Sequence, residues 1–92
     1  MSDATSTGNE EFVTLGEKIK QLTSKPDNDT LLALYAHYKQ ATKGDNDTDA
    51  PGMFDLTGKA KWNAWNELRG MSKEQAQERY IQIAKATISS HS

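Results

Sequence analysis

The sequence has 92 residues, a net charge of −2 and no cysteine, so we expect one domain without a disulfide, a thiolate metal site or a cysteine nucleophile. It lacks the basic face that nucleic-acid binding requires, and no apolar run approaches the ~20 residues of a membrane span. The first basic residue is Lys18, and the polar start before it has neither the pattern of a signal peptide nor that of a transit peptide. We therefore expect a cytoplasmic protein that does not bind nucleic acid and does not insert stably into membranes.

The beginning of the chain predicts a polar tail and then a helix. Residues 1–8 (MSDATSTG) are small and polar, which predicts disorder ahead of a folded domain at residues 9–90. From about residue 10 to residue 22, apolar side chains recur at three- and four-residue steps, as on one buried face of a helix. These side chains are Phe12, Leu15, Ile19 and Leu22. Pro26 follows, and the residue before a proline is disfavoured in helical geometry, so the helix ends there.

A second helix is predicted from a cap at Asp27 or Asn28 to about Lys43, with Gly44 as the left-handed residue that stops it. The apolar face of this helix consists of Leu31, Leu34, Tyr35, Tyr38 and Thr42. Residues 45–56 form a predicted loop. A loop of that length in a compact domain is commonly functional or packs on itself.

Two more helices are predicted at about residues 58–69 and 73–88. The side chains on one side of the third helix are Trp62, Trp65 and Leu68, and Gly70 follows its end. Ser72 and Gln75 form a capping box at the start of the fourth helix. Its inner face consists of Ala76, Tyr80, Ile83, Ala84 and Thr87. No segment alternates as a strand does, so the pattern predicts an all-α bundle.

Two lysines interrupt these apolar faces. On the helical wheel Lys39 falls between Tyr35 and Leu32, and Lys61 lies within the tryptophan-bearing face of the third helix. A buried unpaired ammonium is costly, so each lysine either extends to the surface or meets an anion. Tyr35 and Tyr38 offer flat faces and hydroxyls beside Lys39. The pattern is consistent with snorkelling lysines or with a pocket for an aromatic, phosphate-bearing ligand.

Other motifs point to neither a metal site nor a catalytic site. Residues 45–49 (DNDTD) carry alternating aspartates like the start of a calcium loop, but Ala50 and Leu56 stand where glycine and glutamate are needed. His37 and His91 have no acidic or cysteine partner at useful spacing. We therefore expect no metal, and we interpret both histidines as surface residues.

Three stretches closely resemble the acyl-CoA-binding protein family: residues 35–42 (YAHYKQAT), 51–53 (PGM) and 58–66 (GKAKWNAWN). They occur in the order and spacing of that family, and the likeness covers roughly residues 10–88. The resemblance implies a single four-helix up-down-down-up bundle. It also implies non-enzymatic binding, buffering and intracellular transport of medium- to long-chain fatty-acyl-CoA esters.

The resemblance further implies how the head group of coenzyme A is held. In that family the adenine rests against a tyrosine that matches Tyr38. The ribose 3′-phosphate is held by side chains that match Tyr35, Lys39 and Lys61. A tyrosine matching Tyr80 closes on the nucleotide, and a lysine matching Lys20 adds positive charge at the rim. The lysines that interrupt the apolar faces are thus expected to bind phosphate.

For the acyl chain, the resemblance implies a groove at the start of the second helix, with Leu31 and Leu32 as contacts. The sequence departs from the family at three positions. Ala50 and Thr57 stand where many members have a basic residue, so positive charge is lost near the phosphates. Gly16 replaces the usual alanine close to the expected adenine position, mainly at a cost in helix propensity of about 1 kcal/mol.

The family likeness implies a monomer that needs no cofactor, binds acyl-CoA esters and makes transient contact with enzymes that use acyl-CoA. Two other classes of function stay open on the residues themselves. A helical interaction module would grip a partner helix with its tryptophan and tyrosine faces. An enzyme acting on a thioester would need a nucleophile or base in the pocket, where the sequence offers only tyrosine and lysine.

Overall fold

The computed structural model describes residues 8–91, and within this range the chain forms four α-helices and no strand. The helices are α1 (Glu10–Lys20), α2 (Asn28–Thr42), α3 (Leu56–Asn66) and α4 (Lys73–His91). The predicted all-α bundle is confirmed. The predicted tail at residues 1–8 lies outside the described residues except for Gly8.

Each helix begins at a side chain that accepts a hydrogen bond from the backbone N–H three residues further on. The acceptors are Asn9 for α1, Asp27 for α2, Asp55 for α3 and Ser72 for α4, at distances of 2.8–3.1 Å. Gln75 Oε1 accepts in return from the Ser72 N–H at 3.2 Å, so the predicted capping box is confirmed. Asp27, one of the two predicted alternatives, is the cap of α2.

Four predicted helix boundaries were wrong by a few residues. The helix α3 begins at residue 56 rather than 58, because the carboxylate of Asp55 caps it. It ends at residue 66 rather than 69, because Leu68, Arg69 and Met71 donate to the carbonyl three residues back in a tighter turn. A similar turn at Leu22 ends α1 at residue 20. The helix α4 extends three residues beyond the predicted end.

The core lies between α1, α2 and α4, with α4 packed against both α1 and α2. Its buried members are Phe12, Leu15, Leu34, Ala41, Ala76, Tyr80 and Ala84. Among the four described helices, α3 packs against α2 alone, and Trp65 is its one buried residue. The face of α2 that meets α3 therefore lies outside this core, and both lysines of interest lie on these two helices.

Candidate ligand-binding site

The two lysines that interrupt the apolar faces meet at one aromatic ring. Lys39 Nζ lies 6.0 Å from the centroid of the Tyr35 ring, and Lys61 Nζ lies 5.4 Å from it. Lys39 Nζ is also 5.7 Å from the Trp65 ring. Lys39 is half-buried and Lys61 is exposed. Both ammonium groups thus reach the surface, where cation–π contact compensates part of their desolvation and an anion could contact both.

An open cavity of about 310 Å³ surrounds these two ammonium groups. Its lining comprises Tyr35, Lys39, Lys43, Thr48, Asp49, Pro51, Gly58, Lys61, Trp62 and Trp65. The structure therefore brings together all three residues predicted to hold the 3′-phosphate. It adds a third lysine and a carboxylate that the sequence reasoning missed. Lys43 follows Lys39 by four residues, a spacing that places both on one side of a helix and could have revealed it.

The wall of this cavity is held by the indole N–H groups of α3. Trp62 Nε1 donates to the Thr48 carbonyl at 3.0 Å, and Trp65 Nε1 donates to the Gly44 carbonyl at 2.9 Å. Asn46 is buried, and its Nδ2 donates to the Trp62 carbonyl at 3.3 Å. Arg69 donates to the Asn46 carbonyl at 2.8 Å. The long loop between α2 and α3 is thus fixed against α3 along one side of the cavity.

The first aspartate of the DNDTD stretch has a structural role. Asp45 Oδ1 accepts from the Gly70 N–H and from the buried Gln40 Nε2, each at 2.9 Å. These two hydrogen bonds, the one from Gly70 first, lower the pKa of Asp45 below its ordinary value of 3.8. Gln40 Nε2 also donates to the Met71 carbonyl at 2.8 Å. Asp45 therefore joins the end of α2 to the turn before α4.

Tyr38 and Tyr80 lie in a different cluster from Tyr35. The Tyr38 ring stacks on Phe12 at a centroid distance of 5.7 Å, and Tyr80 meets Phe12 edge-on at 5.0 Å. Tyr80 is almost fully buried, and burial, with a smaller effect of Tyr38, raises its pKa to about 12. Tyr38 is half-buried. The structure thus does not bring the two tyrosines predicted to contact adenine into the cavity around Tyr35, and Lys20 is exposed on the last turn of α1.

A second, more apolar cavity of about 410 Å³ lies between the start of α2 and the start of α3. Its lining comprises Lys25, Asn28, Leu31, Leu32, Leu56, Thr57, Ala60 and Lys61. Both leucines predicted to contact the acyl chain are among them. Lys61 lines both this groove and the cavity around Tyr35, so the two are adjacent. Phe54, two residues before the start of α3, is 93% exposed.

The fold and its paired cavities, one cationic and one apolar, are those of a small helical binding protein. Residues 9–84 match a family model described as acyl CoA binding protein. An acyl-CoA-binding protein homolog of Drosophila melanogaster is 49% identical over 82 residues, which cover 89% of this chain and 95% of that protein. Homolog 1 of Caenorhabditis elegans is 52% identical over 73 residues, 79% and 85% of the two chains.

Solved structures give the same result. The crystal structure of Oryza sativa acyl-CoA-binding protein 2 matches with a TM-score of 0.83 at 42% identity, over 88% of this chain and 90% of that one. The solution structure of the yeast acyl coenzyme A binding protein matches with a TM-score of 0.75 at 41% identity, over 89% and 95%. The chain belongs to the acyl-CoA-binding protein family. The predicted fold and the predicted class of function, binding and transport of acyl-CoA, are confirmed with it.

No helix within residues 8–91 has the length and apolar character needed to cross a membrane.

Proposed function

We propose that this chain holds a medium- to long-chain fatty-acyl-CoA ester with its 3′-phosphate at Lys39 and Lys61, and that it releases the ester unchanged. The observation that carries the proposal is the convergence of both ammonium groups on the Tyr35 ring, within 6.0 Å of its centroid. The two ammonium groups repel each other, and a phosphate that contacts both would more than offset this repulsion by attracting each of them. The bonds would be charge-assisted, the stronger class of hydrogen bond.

The adenine would lie against the half-buried ring of Tyr38, which Phe12 supports by stacking. Gly16 lies next to this cluster, because a Cβ on it would be 3.7 Å from Tyr80 Oη. As a glycine, it places no side chain there. With a pKa of about 12, Tyr80 is protonated at neutral pH, so its hydroxyl is available as a hydrogen-bond donor. Lys20, at the end of α1, would add positive charge at the rim.

The acyl chain would leave the head group past Lys61 and enter the groove formed by Leu31, Leu32, Leu56 and Ala60. Each methylene that the groove removes from water should contribute about 0.8 kcal/mol. This term makes the complex selective for longer chains until the groove is full. It also shields the chain from water during transport.

The side chains around the groove support the proposal that the ester is released unchanged. The titratable residues that line it are Lys25 and Lys61, and neither is paired there with a histidine or carboxylate to form a general acid–base couple. We accordingly propose a carrier that acts without a cofactor, as a cytoplasmic monomer that meets acyl-CoA-using enzymes transiently. Residues 9–90 would form the binding domain.

The test is calorimetry with a series of esters from acetyl-CoA to palmitoyl-CoA. Affinity should rise with chain length and then level off. A flat series would remove the groove, and no response to palmitoyl-CoA or to free coenzyme A would favour the interaction module. Incubation with palmitoyl-CoA should release no thiol above the protein-free control. Release that scales with protein concentration would make the chain an enzyme.

A further inference from the structure

We infer that Lys43 is a third cationic contact for the phosphate of the ligand, and that the carboxylate of Asp49 opposes it. The two residues together would set how tightly the head group is held. The inference rests on the proposed function, because it assumes that the cavity around Tyr35 receives the 3′-phosphate. What it adds is which further charged residues act on the phosphate in that cavity, and whether each strengthens or weakens binding.

The position of Lys43 carries the first step. It is the C-cap residue of α2, four residues after Lys39, and both residues line the same cavity. Lys39 is engaged with the rings of Tyr35 and Trp65. Lys43 is exposed and forms no ion pair or ring contact with any residue in the range 8–91. Its ammonium is therefore available to an incoming anion.

A lysine at the end of a helix also interacts favourably with the helix dipole, whatever the helix binds. Lys73 allows this effect to be separated from contact with the ligand. Its Cε lies 3.5 Å from the position that a Cβ on Gly44 would occupy, so it is a neighbour of the same helix end. Lys73 does not line the cavity. Both lysines therefore lie near the end of α2, but only Lys43 lines the cavity.

Asp49 carries the second step. It lines the cavity from the loop, and Thr48 before it is held in place. The Thr48 carbonyl accepts from Trp62, and its N–H and hydroxyl donate to Asn46 Oδ1 at 2.9 and 2.6 Å. The loop backbone that carries Asp49 is thereby fixed beside the cavity that the lysines line. The Asp49 carboxylate repels a phosphate dianion and attracts the ammonium groups that the phosphate needs, so it weakens binding and speeds release.

The test compares Lys43→Gln with Lys73→Gln at low ionic strength, using calorimetry with palmitoyl-CoA and with its dephospho analogue. Exposed ion pairs are worth up to about 1 kcal/mol, so Lys43→Gln should weaken palmitoyl-CoA binding roughly 2- to 5-fold. Lys73→Gln should have a smaller effect. Neither change should alter binding of the dephospho ester, which lacks the 3′-phosphate.

Asp49→Asn should act in the opposite direction and tighten palmitoyl-CoA binding roughly 2- to 5-fold. Asp47→Asn is the matched control, since Asp47 is exposed in the same loop and does not line the cavity. Equal effects of Lys43→Gln and Lys73→Gln would overturn the inference, as would a loss for the dephospho ester or equal effects of the two aspartates. If the wild type does not bind palmitoyl-CoA at all, the proposed function itself fails.

Discussion

Two tyrosines three residues apart on α2 have different surroundings. Tyr38 packs in an aromatic cluster with Phe12 and Tyr80, with ring centroids 5.0–6.0 Å apart. The Tyr35 ring instead faces two ammonium groups, those of Lys39 and Lys61. Aromatic rings thus pack on one another on the core side of α2, whereas on the side of α3 the aromatic ring contacts cations.

The tryptophans of α3 extend this contrast. Trp62 and Trp65 each donate an indole N–H to a carbonyl of the preceding loop, so they hold the wall of the cavity. Their role is structural, yet it is exerted at the proposed binding site and outside the core cluster. We infer that the core between α1, α2 and α4 carries the stability of this small domain, while the two cavities formed by α2, α3 and the chain next to them would receive the phosphate and the acyl chain. Mutations on the two sides should therefore separate stability from affinity.

The largest expected effect is on the side of the core. Phe12 is fully buried, and Phe12→Ala should lower the free energy of unfolding by about 3–5 kcal/mol through lost burial and a cavity. Phe54 is the matched control because it is 93% exposed, and Phe54→Ala should change stability by no more than about 0.5 kcal/mol. Urea unfolding measures both. Similar costs for the two phenylalanines would mean that the core is not where stability resides.

The next effect is on affinity. Hydrogen bonds to charged groups are worth about 1.5–3 kcal/mol, so Lys39→Ala and Lys61→Ala should each weaken palmitoyl-CoA binding roughly 10- to 150-fold. The double variant should lose less than the product of the two, because both lysines act on one phosphate. Lys18→Ala, an exposed charge on α1, is the control.

In the free protein the same two substitutions should leave stability within about 1 kcal/mol of the wild type, because relief of like-charge repulsion offsets the lost cation–π contacts. Urea unfolding of the variants tests this. Variants that unfold while retaining affinity would make the lysines structural. Equal binding of palmitoyl-CoA and its dephospho form by the wild type would exclude the 3′-phosphate as their partner.

A smaller effect on stability is expected when alanine replaces either of two helical glycines, Gly16 and Gly58. A Cβ on Gly16 would meet Tyr80 Oη at 3.7 Å, an ordinary contact, so Gly16→Ala should stabilise α1 by about 0.5–1 kcal/mol. A Cβ on Gly58 would collide with the carboxylate of Asp55, which caps α3. Losing a cap costs about 1 kcal/mol, so Gly58→Ala should show no net gain. Thermal unfolding compares them, and equal gains would mean that Asp55 moves aside without cost.

Local patterns were sufficient to predict most of the fold. The cap at Asp27 and the box at Ser72 and Gln75 are formed within three residues, so the sequence displays them directly. The faces of α1 and α4 follow from spacing alone. The start of α3 was missed because Asp55 looks like one more acidic loop residue. Its capping role is visible only once residues 56 and 57 are known to be helical.

The buried polar residues could not be predicted in the same way. Gln40 donates to the Met71 carbonyl, 31 positions away, and Asn46 donates to the Trp62 carbonyl, 16 positions away. Their burial depends on how α2, α3 and the loop pack together. The same packing brings Asp49 into the cavity. The sequence pattern revealed Lys39 and Lys61 because they interrupt apolar faces, whereas Asp49 interrupts none.

The smallest effect is on the pH dependence of stability and concerns Asp45, which accepts hydrogen bonds from the Gly70 N–H and from Gln40. These bonds hold the pKa of Asp45 below its ordinary value of 3.8 in the folded state. Below that value the unfolded state binds more protons, so the free energy of unfolding should fall as the pH is lowered through the folded-state pKa. The contribution is fully present above pH 3.8.

Asp45→Asn should remove this part of the acid dependence, whereas Asp47→Asn, at an exposed position of the same loop, should retain it. Urea unfolding at a series of acidic pH values measures both variants. Identical pH profiles for Asp45→Asn and the wild type would show that the bonds from Gly70 and Gln40 do not favour the charged carboxylate.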